Sequence, residues 1–181
     1  IQYIDLIPKV EEYLESKGKR VKIRKGAYYD GHVLGCNPNA FDKESDALLL
    51  LADGKFHALN NAIRLEKEIY VFNTRSVEKV SEEDIESALE KIKRKKTKFL
   101  IAEKVGLLVT TKEGQATKNA HLMKERIEKA GKKCYVFESN DIPLSEFENF
   151  PDVKVWVNTA CYGLGLDDDR IINLLDVLEF L

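Results

Sequence analysis

Three cysteines, Cys36, Cys134 and Cys161, are the side chains here best suited to hold a metal or take part in redox chemistry. They are odd in number, far apart and without a Cys-x-x-Cys pair, which argues against a disulfide framework and against a compact zinc site. Any metal centre must therefore be assembled from distant loops brought together by the fold. Cys36 stands in Gly35-Cys36-Asn37-Pro38 and Cys161 in Asn158-Thr159-Ala160-Cys161, both irregular segments expected at sheet edges. A buried cysteine acting as a small hydrophobe is the commoner fate of either one alone, and the loop positions weigh against it. Cys134 lies inside the run Lys133 to Phe137, where core packing is the expectation.

Other candidates carry weaker signals. His57 follows the turn Gly54-Lys55-Phe56 and precedes an expected helix, whose N-terminus can receive an anion. A satisfied surface histidine fits the same residue equally well. His121 sits on an amphipathic helical pattern, and His32, beside Tyr28, Tyr29 and Asp30, is expected to make only local contacts. Gly163 and Gly165 give Gly-x-Gly without a third glycine, so a dinucleotide fingerprint fails. The run Asp167 to Asp169 could bind a divalent cation, but capping of a helix expected from Arg170 to Leu175 is the cheaper explanation.

These loops need elements to hold them. Ile7, Val10 and Leu14 predict a helix over 4–16 that stops at Gly18, and Val21 and Ile23 alternate as in a short strand. The continuous apolar run Ala47 to Ala52 predicts a strand buried on both faces, followed by a helix over 58–66 and a strand over 69–72. Ser81 and Asp84 resemble a capping box ahead of a long charged helix, with Ile85, Leu89 and Ile92 on one face. Its basic patch, Lys93-Arg94-Lys95-Lys96, is read as a solvated face. The second half repeats the alternation: a strand over 105–110, a loop through Gly114, a helix over 116–130, a strand over 134–138, a short helix near Phe147 and a strand over 153–157. Alternating strands and helices predict an α/β fold of two repeated domains, 1–95 and 96–181, each a small parallel sheet flanked by helices. Ligand loops then belong at the carboxyl ends of the strands.

Composition bounds the function. The 181 residues are 44% hydrophobic and 33% charged, with a formal net charge of −2, which describes a globular protein without the basic surface that nucleic acid requires. No apolar run approaches the ~20 residues of a membrane span, and Ile1 to Leu6 lack the basic start of a leader, so a cytoplasmic protein is expected. The chain opens on Ile1 rather than methionine, which raises an N-terminal portion outside this sequence.

Several segments, in order, resemble the archaeal diphthamide-synthesis (Dph2) family: Val33-Leu34-Gly35-Cys36-Asn37, Asp46 through the apolar strand to Gly54-Lys55-Phe56-His57, Lys112-Glu113-Gly114-Gln115, and Val157-Asn158-Thr159-Ala160-Cys161 with Asp167-Asp168. Any one of these is weak, whereas together they run across essentially the whole chain. The resemblance implies the second and third of three repeated domains in a pseudo-threefold architecture, with the first domain outside this chain. It implies that one cysteine from each domain binds a 4Fe-4S cluster, with Cys36 as the second-domain ligand and Cys161 as the third. It further implies that the open iron holds S-adenosylmethionine, whose cleavage yields a 3-amino-3-carboxypropyl radical. That radical attacks a histidine of translation elongation factor 2, the first step of diphthamide synthesis. On this reading Phe56, His57, Gly114 and Gln115 line the S-adenosylmethionine pocket. Implied partners are a chain or domain carrying the first cluster cysteine, an electron donor protein, and further subunits in a homo- or hetero-oligomer. One departure is local: the family usually follows its third cysteine with Pro-Arg, where this chain has Tyr162-Gly163-Leu164-Gly165.

Three other readings are open. A non-catalytic scaffold subunit of the same complex would tolerate replacement of every cysteine. A quinolinate synthase-like enzyme shares three related domains and a three-cysteine cluster, but the Gly-Cys-Asn and Gly-Lys-Phe-His segments disfavour it. A metal-free α/β module binding a small ligand would leave Cys36 and Cys161 as unrelated neighbours.

Overall fold

The computed structural model describes residues 2–112 and 119–181, and the chain divides into two units, Ile1–Ser87 and Ala88–Leu181. The first unit begins with a 3-10 turn, Ile4–Leu6, that runs into helix α1, Ile7–Ser16. Pro8 sits in its first turn, where a missing N–H costs nothing. Gly18, at φ +74°, ends it: the Gly18 and Lys19 amides donate back to the Glu15 and Leu14 carbonyls, the Schellman arrangement.

The strand expected around Val21 and Ile23 does not form; between α1 and the next element lie only isolated bridges, Lys25 to Asp30 and Leu34 to Asn37. Alternation alone gave those residues no partner strand to pair with. A 3-10 turn at Pro38–Ala40 then leads to strand β1, Leu48–Leu51. β1 pairs in parallel with β2, Ile69–Phe72, in the register Leu48 to Ile69 through Leu51 to Phe72, across helix α2, Phe56–Leu65. The polar connection after β2 folds back as β3, Val77–Lys79, antiparallel to β2, so this three-stranded sheet is mixed rather than wholly parallel. Ala58, Ala62 and Leu65 of α2 pack with Phe41, Leu48, Leu50, Ile69, Val71 and Val80 into one core.

Helix α3, Glu82–Ile101, starts where expected: the Ser81 hydroxyl accepts the Asp84 amide at 3.1 Å. The division between the units falls within α3.

The second unit is a four-stranded, all-parallel sheet in the order β5-β4-β6-β7, with β4 at Lys104–Thr110, β5 at Lys133–Ser139, β6 at Val155–Asn158 and β7 at Ile171–Asn173. Helix α4, Ala120–Lys129, precedes β5, and the short helices α5, Leu164–Asp167, and α6, Leu174–Val177, flank β7. The helix expected from Arg170 to Leu175 is thus a strand followed by a single helical turn. Ile171 and Ile172 are the reason: both are fully buried, one on each face of the sheet, which a strand's two-residue period achieves.

Both faces of this sheet are covered, as parallel sheets require. Val105, Leu107 and Val109 of β4 meet Phe99 of α3 and Met123 and Ile127 of α4 on one face. Leu108 meets Phe147, Trp156 and Ile171 on the other, where the Phe147 and Trp156 rings stack at 4.1 Å. Gly106 pairs with Trp156 across β4 and β6, and an added Cβ there would lie 2.4 Å from the indole, so the ring occupies the volume a side chain would need. The chain order reverses between β4 and β6, which places the switch point of the sheet at their carboxyl ends. Among the described residues, no helix is long and apolar enough to cross a membrane.

Candidate functional site

Cys36 lies on a loop clamped against one face of α2. Gly35 is buried, and a Cβ at its position would stand 3.1 Å from both His57 Nδ1 and Asn60 Nδ2 and 3.4 Å from Phe56 Cε1. A side chain here would be tighter than nearly all real Cβ contacts, so His57, Asn60 or Phe56 would have to give by a few tenths of an ångström. Two side chains one turn further along α2 hold the loop from the same side: Asn61 Nδ2 donates to the Leu34 carbonyl at 3.0 Å and Arg64 Nη1 to the Cys36 carbonyl at 2.5 Å. The Cys36 residue itself is exposed and its thiol is free. In the described structure Cys36 does not follow a sheet strand; it follows the irregular stretch after α1.

Phe56 and His57 belong to the first turn of α2 rather than to the turn preceding it, and their rings touch with centroids 4.9 Å apart. The structure therefore brings both predicted pocket residues against the loop that carries Cys36. Burial pulls the His57 imidazole below its ordinary pKa, so the ring is neutral at pH 7. His57 Nδ1, Asn60 Nδ2 and Asn61 Oδ1 are buried without a hydrogen-bond partner among the described residues. The predicted pocket residues Gly114 and Gln115 lie outside the described residues.

Cys161 lies three residues past the end of β6, at the switch point of the second sheet. Asn158, the last residue of β6 and only 3% exposed, spends both amide hydrogens locally: Nδ2 donates to the Cys161 carbonyl at 2.9 Å and to Asn173 Oδ1 at 2.7 Å. Its Oδ1 accepts the Ala160 amide at 2.9 Å. The Asn173 partner is its register neighbour on β7. Like Cys36, Cys161 is exposed with a free thiol.

The loop after Cys161 is fastened from below. Lys95 of α3, 8% exposed, donates from Nζ to the Gly165 carbonyl at 2.5 Å and to the Asp168 carbonyl at 2.9 Å. This residue corrects the reading of Lys93-Arg94-Lys95-Lys96 as a wholly solvated face. Burial holds the Lys95 ammonium below the usual lysine range, partly opposed by the nearby Asp169 and Asp168 carboxylates. Asp168 closes α5 and does not N-cap a helix from Arg170: its carboxylate accepts the Arg170 amide at 2.7 Å and grips the Arg170 guanidinium, with Nη2 to Oδ2 at 2.7 Å. That guanidinium keeps the Asp168 carboxyl below its ordinary pKa.

Cys134 contrasts with both loop cysteines. It is 3% exposed within β5, packed in the core beside Met123 and Ile127, and burial pushes its thiol up to about 11. Iron and zinc are bound by the thiolate, so Cys134 does not fit a ligand role, whereas the chemistry and exposure of Cys36 and Cys161 do. Among the described residues, no group of three or more His, Cys, Asp or Glu side chains is gathered to hold a metal ion. His32 stays local: its ring lies 5.7 Å from Tyr28 and 6.0 Å from Tyr29.

Two α/β units, each carrying an exposed free thiol on a loop whose cysteine carbonyl is held by a side chain, define an α/β protein with one accessible loop cysteine per unit. Comparison with known proteins gives that class a family. The chain belongs to the diphthamide synthesis protein family, whose sequence profile matches residues 1–171. It is similar to a 2-(3-amino-3-carboxypropyl)histidine synthase of Methanocaldococcus jannaschii, 29% identical over 174 residues, covering 85% of this chain and 48% of that protein. Among solved structures it is similar to Dph2 from Pyrococcus horikoshii, at 25% identity and a TM-score of 0.88, covering 98% of this chain and 54% of that one. A second structure, Dph2 from Pyrococcus horikoshii with a 4Fe-4S cluster, matches at 25% identity and a TM-score of 0.86, covering 98% and 53%. The chain spans about half the length of these relatives.

Proposed function

We propose that this chain supplies Cys36 and Cys161 as two thiolate ligands of a 4Fe-4S cluster in a 3-amino-3-carboxypropyl transferase acting on a histidine of translation elongation factor 2. The observation that carries the reading is the contrast among the three thiols. The two on held loops are exposed and free, and the third is locked in a core that disfavours its thiolate. A third cluster ligand then comes from a further domain or partner chain. When bound, the cluster would supply an electron to the sulfonium of S-adenosylmethionine at the iron left without a cysteine.

The remaining work falls to protein groups. Phe56 and His57 would flank the substrate from the first turn of α2, with Gly114 and Gln115 as the other proposed contacts. An aromatic wall and a neutral imidazole suit a sulfonium compound, since neither adds a competing positive charge. The narrow approach at Gly35 would keep the Cys36 loop close to that wall and limit the water between them.

The test is iron and sulfide content with electron paramagnetic resonance on dithionite-reduced, anaerobically purified protein containing this chain. Wild type should show a reduced 4Fe-4S signal, C36A and C161A should lose it, and C134A should keep it. Equal cluster content in C36A, C161A and wild type would end this reading. Alanine changes at His57 and Gln115 that leave S-adenosylmethionine affinity unaltered would remove the pocket assignment alone.

A further inference from the structure

We propose that Arg64 and Asn158 are positioning residues for the two ligand cysteines, each restraining its thiol by gripping the carbonyl oxygen of the cysteine itself. The inference rests on the cluster reading of Cys36 and Cys161. It deepens that reading by assigning a role to two residues with no thiol, imidazole or carboxylate.

The same arrangement occurs independently in each unit, built from different chemistry. In the first, Arg64 Nη1 reaches the Cys36 carbonyl at 2.5 Å from the last turn of α2, and Asn61 secures the Leu34 carbonyl two residues earlier at 3.0 Å. In the second, Asn158 Nδ2 reaches the Cys161 carbonyl at 2.9 Å from the end of β6, beside the Leu164 amide that donates to the same oxygen at 3.0 Å, while its Oδ1 holds the Ala160 amide. In both cases the donor stands on a regular element and the acceptor is the cysteine's own backbone.

The physical consequence follows from counting bonds. The carbonyl carbon is bonded directly to Cα, so holding the oxygen restrains the peptide plane that follows the cysteine and narrows the backbone states from which Cβ leaves the chain. Rotations about Cα–C and χ1 then set the thiol from a restricted starting point. A loop free to sample several backbone states would have to lose that freedom on binding a cluster, at about 1–2 kcal/mol per residue ordered. Held loops have lost it beforehand. Outer hydrogen bonds of this kind orient metal ligands and commonly change metal affinity about 10–100-fold when removed.

The two grips differ in charge, and this gives each a separate signature. Arg64 brings a permanent cation to the Cys36 loop, whereas Asn158 is neutral. A cation near a cluster bearing several thiolates stabilises the reduced, more negative state. Losing Arg64 should therefore lower the cluster's reduction potential as well as weaken its hold, and losing Asn158 should weaken the hold alone.

The experiment compares wild type, R64M, R64K and N158S in anaerobically reconstituted protein containing this chain. It measures the rate of iron release to a chelator and the midpoint potential by redox titration. Arg64 is exposed, so R64M retains the fold, which circular dichroism checks. R64M should release iron about tenfold faster, at a lower midpoint potential, and R64K should recover most of both. N158S should release iron faster with its potential unchanged. Wild-type rates and potential in folded R64M would overturn the role of Arg64, and a wild-type release rate in N158S would overturn that of Asn158. A wild type that takes up no cluster at all would remove the underlying reading, and this inference with it.

Discussion

Replacing Lys95 by methionine tests whether a buried ammonium, rather than apolar packing, secures the loop beyond Cys161. Methionine keeps much of the aliphatic stem and deletes the charge and both hydrogen bonds. The Asp168 carbonyl still receives the Ile171 amide at 3.1 Å, so its loss is partial. The Gly165 carbonyl is in a buried residue and loses a charged donor. Hydrogen bonds to charged groups contribute about 1.5–3 kcal/mol each, and an unsatisfied buried acceptor costs about 1–3 kcal/mol. Against this stands relief of the desolvation that lowers the lysine's pKa, and replacing buried charges by hydrophobes is at times stabilising. The carbonyls decide the sign, because methionine satisfies neither, and the net loss is about 2 kcal/mol. For a chain of this size that lowers Tm by about 6 °C. Thermal denaturation by circular dichroism at pH 7 reads the shift, and hydrogen exchange over 161–169 should rise in parallel. A K95M protein with Tm at or above wild type and unchanged exchange in that loop would show that the ammonium contributes no lock.

Further outcomes follow from single groups. Gly106→Ala places a methyl group 2.4 Å from the Trp156 indole, so it should destabilise by about 1–3 kcal/mol in urea denaturation and alter tryptophan fluorescence. Burial raises the Cys134 thiol from 9.0 to about 11, so the folded protein keeps a proton that the unfolded chain releases as pH rises through about 9. Stability should fall between pH 9 and about 11 by about 2–3 kcal/mol, and C134A should flatten that slope whatever its own stability. His32 has the opposite dependence: burial lowers its pKa, so the unfolded state binds the extra proton first as pH drops through 6.5. Tm should decline below pH 6.5, and His32→Asn should reduce that decline.

The elements legible in the sequence are those whose cause is local. Gly18 ends α1 because its φ is +74°, and Ser81 starts α3 through a bond to an amide three residues on. β1 and β2 show as short apolar runs bounded by polar residues. β3 gave no such signal, since Val77, Glu78 and Lys79 are all exposed. It exists because the Asn73 side chain accepts the Arg75 and Ser76 amides and turns the chain back onto β2. β7 is hidden from the sequence for a related reason. A short apolar run has no periodicity of its own, and only its place beside β6 makes Ile171 and Ile172 face opposite sides.

The candidate site divides in the same way. Cys36, Cys161, Phe56 and His57 stand out through their motifs, and Gly35 marks a close approach that a glycine in a loop suggests. The residues that hold those loops are ordinary polar side chains, and nothing in spacing marks Arg64 off from other exposed cations, whereas Lys95, three residues after Ile92 and four before Phe99, falls on the buried face of α3, a helical period that could have singled it out from Lys96. What gives each its role is the partner: a backbone carbonyl 28 residues away for Arg64 and one 70 residues away for Lys95. A carbonyl is present at every position, so it leaves no mark that a sequence pattern could match. Asn158 is the intermediate case, because it lies within the motif Asn158-Thr159-Ala160-Cys161 and bonds inside it. Its side chain explains why an asparagine precedes the cysteine by three residues: that spacing brings one amide group within reach of both the Ala160 N–H and the Cys161 carbonyl. Aspartate would keep the acceptor and lose the donor, and serine is too short to serve both. The motif is thus a description of a turn that holds the backbone on either side of the Cys161 side chain.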